Sequence, residues 1–199
     1  MSKGFIRQSS SLVAAAVLFA KKPGGWSRFF IDYRDINTKT MNNRHPHPLI
    51  MKTLNLLGKA RIYTKLDVCG AYNLLWVKEG DENKLAFQTR YGLYEPTVMQ
   101  FGTTNALADF QGYTNHSIGE ALDDFASAYL DNILIYSNSE EEHVGHVMWI
   151  MQWLLDAGLY LKREKWEFHK ETVRYLGLII STKGISMDED TIETVQKLS

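Results

Sequence analysis

A single cysteine, Cys69, in 199 residues excludes an internal disulfide framework and fits a reducing compartment. It is expected to be a small residue in a packed position. No apolar run approaches the roughly 18 residues that span a bilayer, so no transmembrane helix and no membrane partner are expected. The stretch "LVAAAVLFA" (12–20), preceded by Lys3 and Arg7, has the pattern of a secretory leader. Leu18 and Ala20 make a poor cleavage site, however, and Lys21 and Lys22 follow at once, so a buried strand is expected and secretion is not. Histidine is sparse as well: His45 and His47 stand two residues apart without a second ligand cluster, which excludes a zinc-finger spacing. There is no internal repeat and no low-complexity linker. Of only four prolines, two lie in "NNRHPHPLI", where they force an extended connection.

What is present is a chain that is 45% hydrophobic, enough to bury a core without disulfide or metal staples. The formal charge of -1 conceals a strong asymmetry. Residues 1–66 hold 12 Lys and Arg against Asp32 and Asp35, a net charge of +10, and residues 67–199 carry -11. Such an asymmetry suits a polyanion gripped on one side and cations held on the other. It equally suits two solvated faces bridged by salt links, and charge counting leaves both readings open.

Hydrophobic periodicity gives the elements. "LVAAAVLFA" and "SRFFIDYRDIN" flank the turn "KKPGG" and read as a hairpin that projects Lys21, Lys22 and Arg28. "MKTLNLLGKA" is a helix closed by Gly58, and "RIYTKLDV" a strand ending at Asp67. "NLLWVKE" and "KLAFQTRYGLYEPTVM" supply further strands with a Tyr-Gly turn, and "TTNALADFQGYTNHSIGEAL" a helix whose inner face includes Ala106, Phe110 and Ile118. Ser139 and Glu142 form a capping box ahead of a helix in which Val144, Val147, Met148, Met151, Leu154 and Leu155 keep helical spacing up to Gly158. "VRYLGLIIS" reads as a last strand and "DEDTIETVQKLS" as the start of a helix. The result is an α+β layout, a mainly antiparallel sheet with helices packed on one face. Between two apolar runs, "YLDNILIYS" (129–137) places Asp131 and Asn132 at a hairpin tip. That pair is ordinary turn chemistry, and by itself leaves turn and active site both open.

Six blocks in order, "KKPGGWSRFFIDYRDIN", "YTKLDVCGAYNLL", "FQTRYGLYEPTVMQFGTTNALADFQ", "YLDNILIYSNSEEEHVGHV", "GLYLKREKWEF" and "RYLGLIIS", closely resemble the reverse transcriptase domain of gypsy-type LTR retrotransposons. The resemblance covers nearly the whole chain. It implies a right-hand polymerase architecture with fingers over 1–58 and 78–96, palm over 59–77 and 97–185, and the beginning of a thumb over 186–199. It also implies a retrotransposon polyprotein in which a thumb and an RNase H part belong to the same chain, acting within an intracellular, cytoplasmic particle.

Residue by residue, the resemblance makes Asp67 the first catalytic aspartate and Asp131 the first acid of the catalytic hairpin. Tyr72 is implied as the steric gate against a ribose 2′-hydroxyl. Arg28, with Lys22 or Lys21, is implied to hold the incoming triphosphate, and Phe101 and Gly102 to pack near the nucleotide. Lys165 is implied near the triphosphate, and Tyr175, Leu176 and Gly177 form the primer-grip turn. The implied reaction is RNA-directed DNA synthesis on a primed RNA or DNA template from deoxynucleoside triphosphates. Two Mg2+ ions, with Mn2+ as a substitute, would be held by Asp67, Asp131, the position of Asn132 and the Val68 carbonyl.

The chain departs from the family where it matters most. Asn132 stands where the family has a second hairpin aspartate; it keeps an oxygen but loses a charge and turns half its head group into a donor. Gln100, Leu107 and Leu12 stand where the family has proline, which relaxes turns at about 0.4–1 kcal/mol each. An impaired polymerase domain is therefore expected. A noncatalytic nucleic-acid-binding module and a secreted or interaction protein derived from a retroelement are the alternatives.

Overall fold

A computed structural model of the chain describes residues 4–21, 27–43, 50–70 and 74–188. The expected terminal helix, Lys22, His45, His47 and Tyr72 lie outside them. The chain divides into two compact units, residues 1–45 with 70–110, and residues 46–69 with 111–199. The first holds 11 basic and seven acidic residues, the second 11 and 16. The charge asymmetry of the linear halves therefore survives in sign but shrinks, because the polypeptide passes from one unit to the other three times.

The first unit is built on a five-stranded sheet in the order β1-β6-β5-β2-β3, formed by β1 (Ile6–Gln8), β2 (Ala15–Lys21), β3 (Ser27–Ile31), β5 (Phe87–Thr89) and β6 (Gly92–Pro96). Its pairs are antiparallel except β2 with β5. Ile31, Tyr33 and Phe87 form its core, with Ile6, Ala15, Val17, Ile36, Leu85 and Tyr94 packed around them. The strand expected at "LVAAAVLFA" is present but not buried. Ala15 and Val17 face that core, whereas Leu18 and Phe19 are exposed, and the Phe19 ring meets Phe29 edge-on at 5.8 Å. Alternation accounts for Leu18, which points away from Ala15 and Val17; Phe19 shares their parity and is exposed because the core residues gathered around Ala15 and Val17 do not reach it. The strand expected at "DYRDIN" gives way to a short helix, α1 (Arg34–Asn37). The described part of "NLLWVKE" contributes only a bridge between Trp76 and Val98.

The second unit carries a four-stranded sheet ordered β7-β8-β4-β9 and a three-stranded sheet ordered β10-β11-β12. The strands are β4 (Ile62–Asp67), β7 (Ala126–Tyr129), β8 (Asn132–Ser137), β9 (Glu167–Lys170), β10 (Thr172–Tyr175), β11 (Leu178–Ser181) and β12 (Gly184–Met187). One face of the larger sheet packs on α4 (Glu140–Asp156), whose buried stripe is His143, Val147, Ile150 and Leu154. On the opposite face Tyr63, Leu134 and Tyr136 join Leu57 of α2 (Ile50–Leu57) with Val173, Tyr175 and Ile180. Ser139 caps α4 as expected, its hydroxyl accepting from the Glu142 N–H. Helical spacing over-counted the buried face, however, since Val144, Met148 and Leu155 are exposed.

The single strand expected at "VRYLGLIIS" is a hairpin. Leu176 and Gly177 both take positive φ, 52° and 76°, and Tyr175 pairs with Leu178 across them. That combination reverses the chain in two residues. Strand β9 had no sequence signal and pairs with the free edge of β4. Among the described residues no helix is long and apolar enough to cross a membrane.

Candidate active site

The site grows from the pairing of β4 with β8. Their register sets Asp67 opposite Asn132, and the Val68 N–H donates to the Asp131 carbonyl at 2.7 Å. Two carboxylates distant in sequence are thereby fixed at the ends of neighbouring strands. The tip is not the Asp-Asn pair expected from the sequence. Tyr129 pairs with Asn132, so the turn consists of Leu130 and Asp131, and Asn132 is already the first residue of β8. Its Nδ2 donates to Asp131 Oδ1 at 3.2 Å.

Leu130 takes a φ of 52°, a conformation that bulky side chains rarely adopt. What holds it is Gln111, on α3 (Ala106–Ser117) and completely buried. Gln111 Oε1 accepts from the Leu130 N–H at 2.7 Å, and its Nε2 donates to the Ala128 carbonyl at 3.0 Å and to Asn115 Oδ1 at 2.7 Å. The sequence offered only one glutamine in an otherwise unremarkable helical stretch, with nothing to mark it as the clamp of a distant turn.

Asp67 is buried, 5% exposed. Lys165 Nζ donates to its Oδ2 at 3.1 Å, and Lys162 Nζ lies 3.1 Å from its Oδ1. Oδ1 is fully enclosed and makes no well-directed hydrogen bond. Both lysines come from the segment after α4, which docks through the main chain: the Cys69 N–H donates to the Tyr160 carbonyl at 2.6 Å and the Lys162 N–H to the Asp67 carbonyl at 2.9 Å. Lys165, which the resemblance implied near the triphosphate, is here brought to Asp67. Lys162, in the same "KREK", was missed because nothing in the pattern separates it from a solvated charge. Burial works against its charged form, but the contact with Asp67 and the charges of Asp67 and Asp131 outweigh that and raise its pKa. Cys69 beside them is exposed, not packed.

The donor set suits a hard divalent cation in part. Asp67 and Asp131 supply carboxylates and the strand ends supply carbonyls, while Asn132 supplies an amide where a third carboxylate would complete the set. The turn residues implied as a primer grip divide their roles. Tyr175 is buried, its hydroxyl 3.2 Å from Ser127 Oγ and its pKa pushed up to about 12 by burial. Leu176 is exposed at the turn.

The residues implied to face the nucleotide lie in the first unit, each described there by itself. Arg28 is on β3, opposite Ala20 of β2. Gly102 takes a φ of 96°, and a side chain there would meet the Ile31 carbonyl at 3.4 Å, so this loop needs glycine to lie against β3. Asn37 ties the loop down, donating to the Gly102 carbonyl at 2.7 Å and accepting from the Thr104 N–H at 2.9 Å. Phe101 is half exposed, and Gly102 lines an open groove of about 600 Å³ with Leu18, Phe19, Ile31 and Tyr33.

Comparison with known proteins gives one consistent answer. The family model described as "Reverse transcriptase (RNA-dependent DNA polymerase)" matches residues 20–180. The Transposon Tf2-3 polyprotein of Schizosaccharomyces pombe (strain 972 / ATCC 24843) is 40% identical over 195 residues, 98% of this chain and 15% of the polyprotein. The Tf2-7 polyprotein of the same strain matches to the same extent. The chain therefore spans about 15% of the length of these relatives. In fold it is similar to a foamy viral protease-reverse transcriptase solved with double-stranded DNA, with a TM-score of 0.90 at 19% identity over 100% of this chain and 35% of that one. The same kind of protein solved with an RNA/DNA hybrid gives 0.87 at 18% identity, covering 98% and 26%. The chain belongs to the reverse transcriptase family, as the fingers-and-palm segment of a gypsy-type LTR retrotransposon polyprotein.

Proposed function

We propose that this segment is built for RNA-directed DNA synthesis by two-metal nucleotidyl transfer, and that Asn132 impairs it. The observation that carries the reading is the convergence of Asp67, Asp131 and Lys165 at the paired ends of β4 and β8. In this reading the fingers, 1–58 and 78–96, make up most of the first unit, and the palm, 59–77 and 97–185, most of the second. The partners are a primed RNA or DNA template and deoxynucleoside triphosphates, with the thumb and RNase H parts in the same polyprotein.

Asp67, Asp131 and the Val68 carbonyl would hold two Mg2+ ions, or Mn2+, which supply a sharpened primer hydroxyl and neutralise charge on the triphosphate. Asn132 contributes an oxygen without charge. Lys165 is placed to turn from Asp67 towards a phosphate, offsetting charge as the leaving group forms. Arg28 and Lys22 hold the triphosphate, Tyr72 excludes the ribose 2′-hydroxyl, and Phe101 and Gly102 pack at the nucleotide. Tyr175 anchors the turn from the core, so that Leu176 and the Gly177 main chain meet the primer.

The test is primer extension on an RNA template with Mg2+, comparing the parent with Asn132→Asp. Extension by the variant and not by the parent supports the reading. Folded proteins that both fail to extend, yet bind the primed template with strong salt dependence, would favour a noncatalytic nucleic-acid-binding module. The amide at Asn132 is the observation on that side.

A further inference from the structure

The contacts of Asp67 carry a consequence for how this chain meets a cation at all. Its two carboxylate oxygens each face an ammonium group at 3.1 Å, Lys162 at Oδ1 and Lys165 at Oδ2. Asp67 and Asp131 bring two negative charges to the strand ends, and the two lysines bring two positive ones. Asn132 brings none. The cluster is balanced by side chains of the chain itself.

The two lysines are not equivalent. Lys165 is more than half exposed, with 55% of its side chain in solvent, and can swing away into water. Lys162 is 32% exposed and sits at the oxygen that has no well-directed hydrogen bond. Its backbone is also fixed: its N–H bonds to the Asp67 carbonyl at 2.9 Å, and its own carbonyl accepts from the Lys165 N–H at 3.1 Å. An ammonium so anchored acts at a high effective concentration, and partial burial protects the pair from screening.

We infer that Lys162 is a tethered competitor for the divalent cation at Asp67, so that Lys162 and Asn132 together set a low metal affinity in this chain. The inference rests on the metal-binding reading above. A divalent ion reaches Oδ1 only by displacing Lys162, and one that enters at Oδ2 as Lys165 swings away stands beside the Lys162 ammonium, a like charge. Lys162 thus acts on the site before an ion enters, distinct from Lys165, which is assigned to the phosphate.

The experiment measures Mn2+ binding by the loss of the free-ion electron paramagnetic resonance signal. It compares the parent with Lys162→Met, Lys162→Arg, Asn132→Asp and the exposed-site control Lys183→Met, each checked for cooperative urea unfolding. If Lys162→Met fails to fold, Lys162→Gln replaces it. The expected result is about tenfold tighter binding in Lys162→Met, parent-like binding in Lys162→Arg and Lys183→Met, and tighter binding in Asn132→Asp. If Asn132→Asp tightens binding but Lys162→Met does not, the competitor role is overturned and the metal site stands. If neither changes it, both readings fall. Equal tightening by Lys183→Met assigns the effect to net charge and also overturns the inference.

Discussion

Lowering the pH should loosen the second unit through one histidine. His143 of α4 is completely buried and joins the helix to two strands, with Nε2 2.7 Å from Thr64 Oγ1 and Nδ1 2.8 Å from Ser137 Oγ. Ser137 Oγ is also 2.8 Å from His146 Nδ1, and Thr64 Oγ1 accepts from the His169 N–H at 3.3 Å. One direction of donation satisfies the whole chain: Thr64 O–H donates to His143 Nε2, His143 Nδ1–H to Ser137, and Ser137 O–H to His146. Protonating His143 turns the Thr64 hydroxyl proton away from its acceptor. Burial, and then the neighbouring His169 and His146, lower the His143 pKa from 6.5 to about 4.

The unfolded chain therefore binds this proton more tightly than the folded one, so stability rises with pH between those values. The contribution is intact above about pH 6.5 and declines as the pH falls towards 4. At about 1.4 kcal/mol per pH unit the full loss is ~3 kcal/mol, and ~2 kcal/mol is already gone at about pH 5. Urea unfolding at several pH values from 7.5 to 5, for the parent and for His143→Gln, isolates the term. The parent should lose ~2 kcal/mol more than the variant over that range. Equal slopes would refute the assignment to His143.

Two further outcomes follow from single contacts. Gln111→Leu strands the Leu130 N–H and the Ala128 carbonyl, and at about 1–3 kcal/mol for an unsatisfied buried group it should destabilise the chain by roughly 2 kcal/mol. Hydrogen exchange at Leu130 should accelerate with it; an unchanged rate would show that the clamp does not hold the turn. Leu107→Pro, in the first turn of α3 and exposed, should stabilise by about 0.4–1 kcal/mol, read from the urea midpoint. A fall in stability would mean that the backbone there does not suit proline.

Legibility varied with the range of the interaction. The strand ending at Asp67, the capped helix after Ser139 and the Asp131 hairpin rest on local patterns, and all three are present. Strand β9 depends on the free edge of β4, which no local pattern reveals. The outer half of α4 is apolar yet exposed, because spacing defines a face but not what lies against it. Leu130 and Leu176 occupy positive φ, where turn chemistry anticipates Asn or Gly, so the local pattern sets the first turn one residue late and runs a strand through the second, where only the family resemblance implies a turn.

By itself the sequence determined the family, through six ordered blocks, and singled out Asp67, Asp131 and Asn132. Those are matters of residue identity and order. Only the tertiary structure decided that Lys162 shares Asp67 with Lys165, that Gln111 holds the Asp131 hairpin, and that His143 ties α4 to the sheet. Each depends on groups brought together across the chain, where burial lends weight to contacts that would count for little in water.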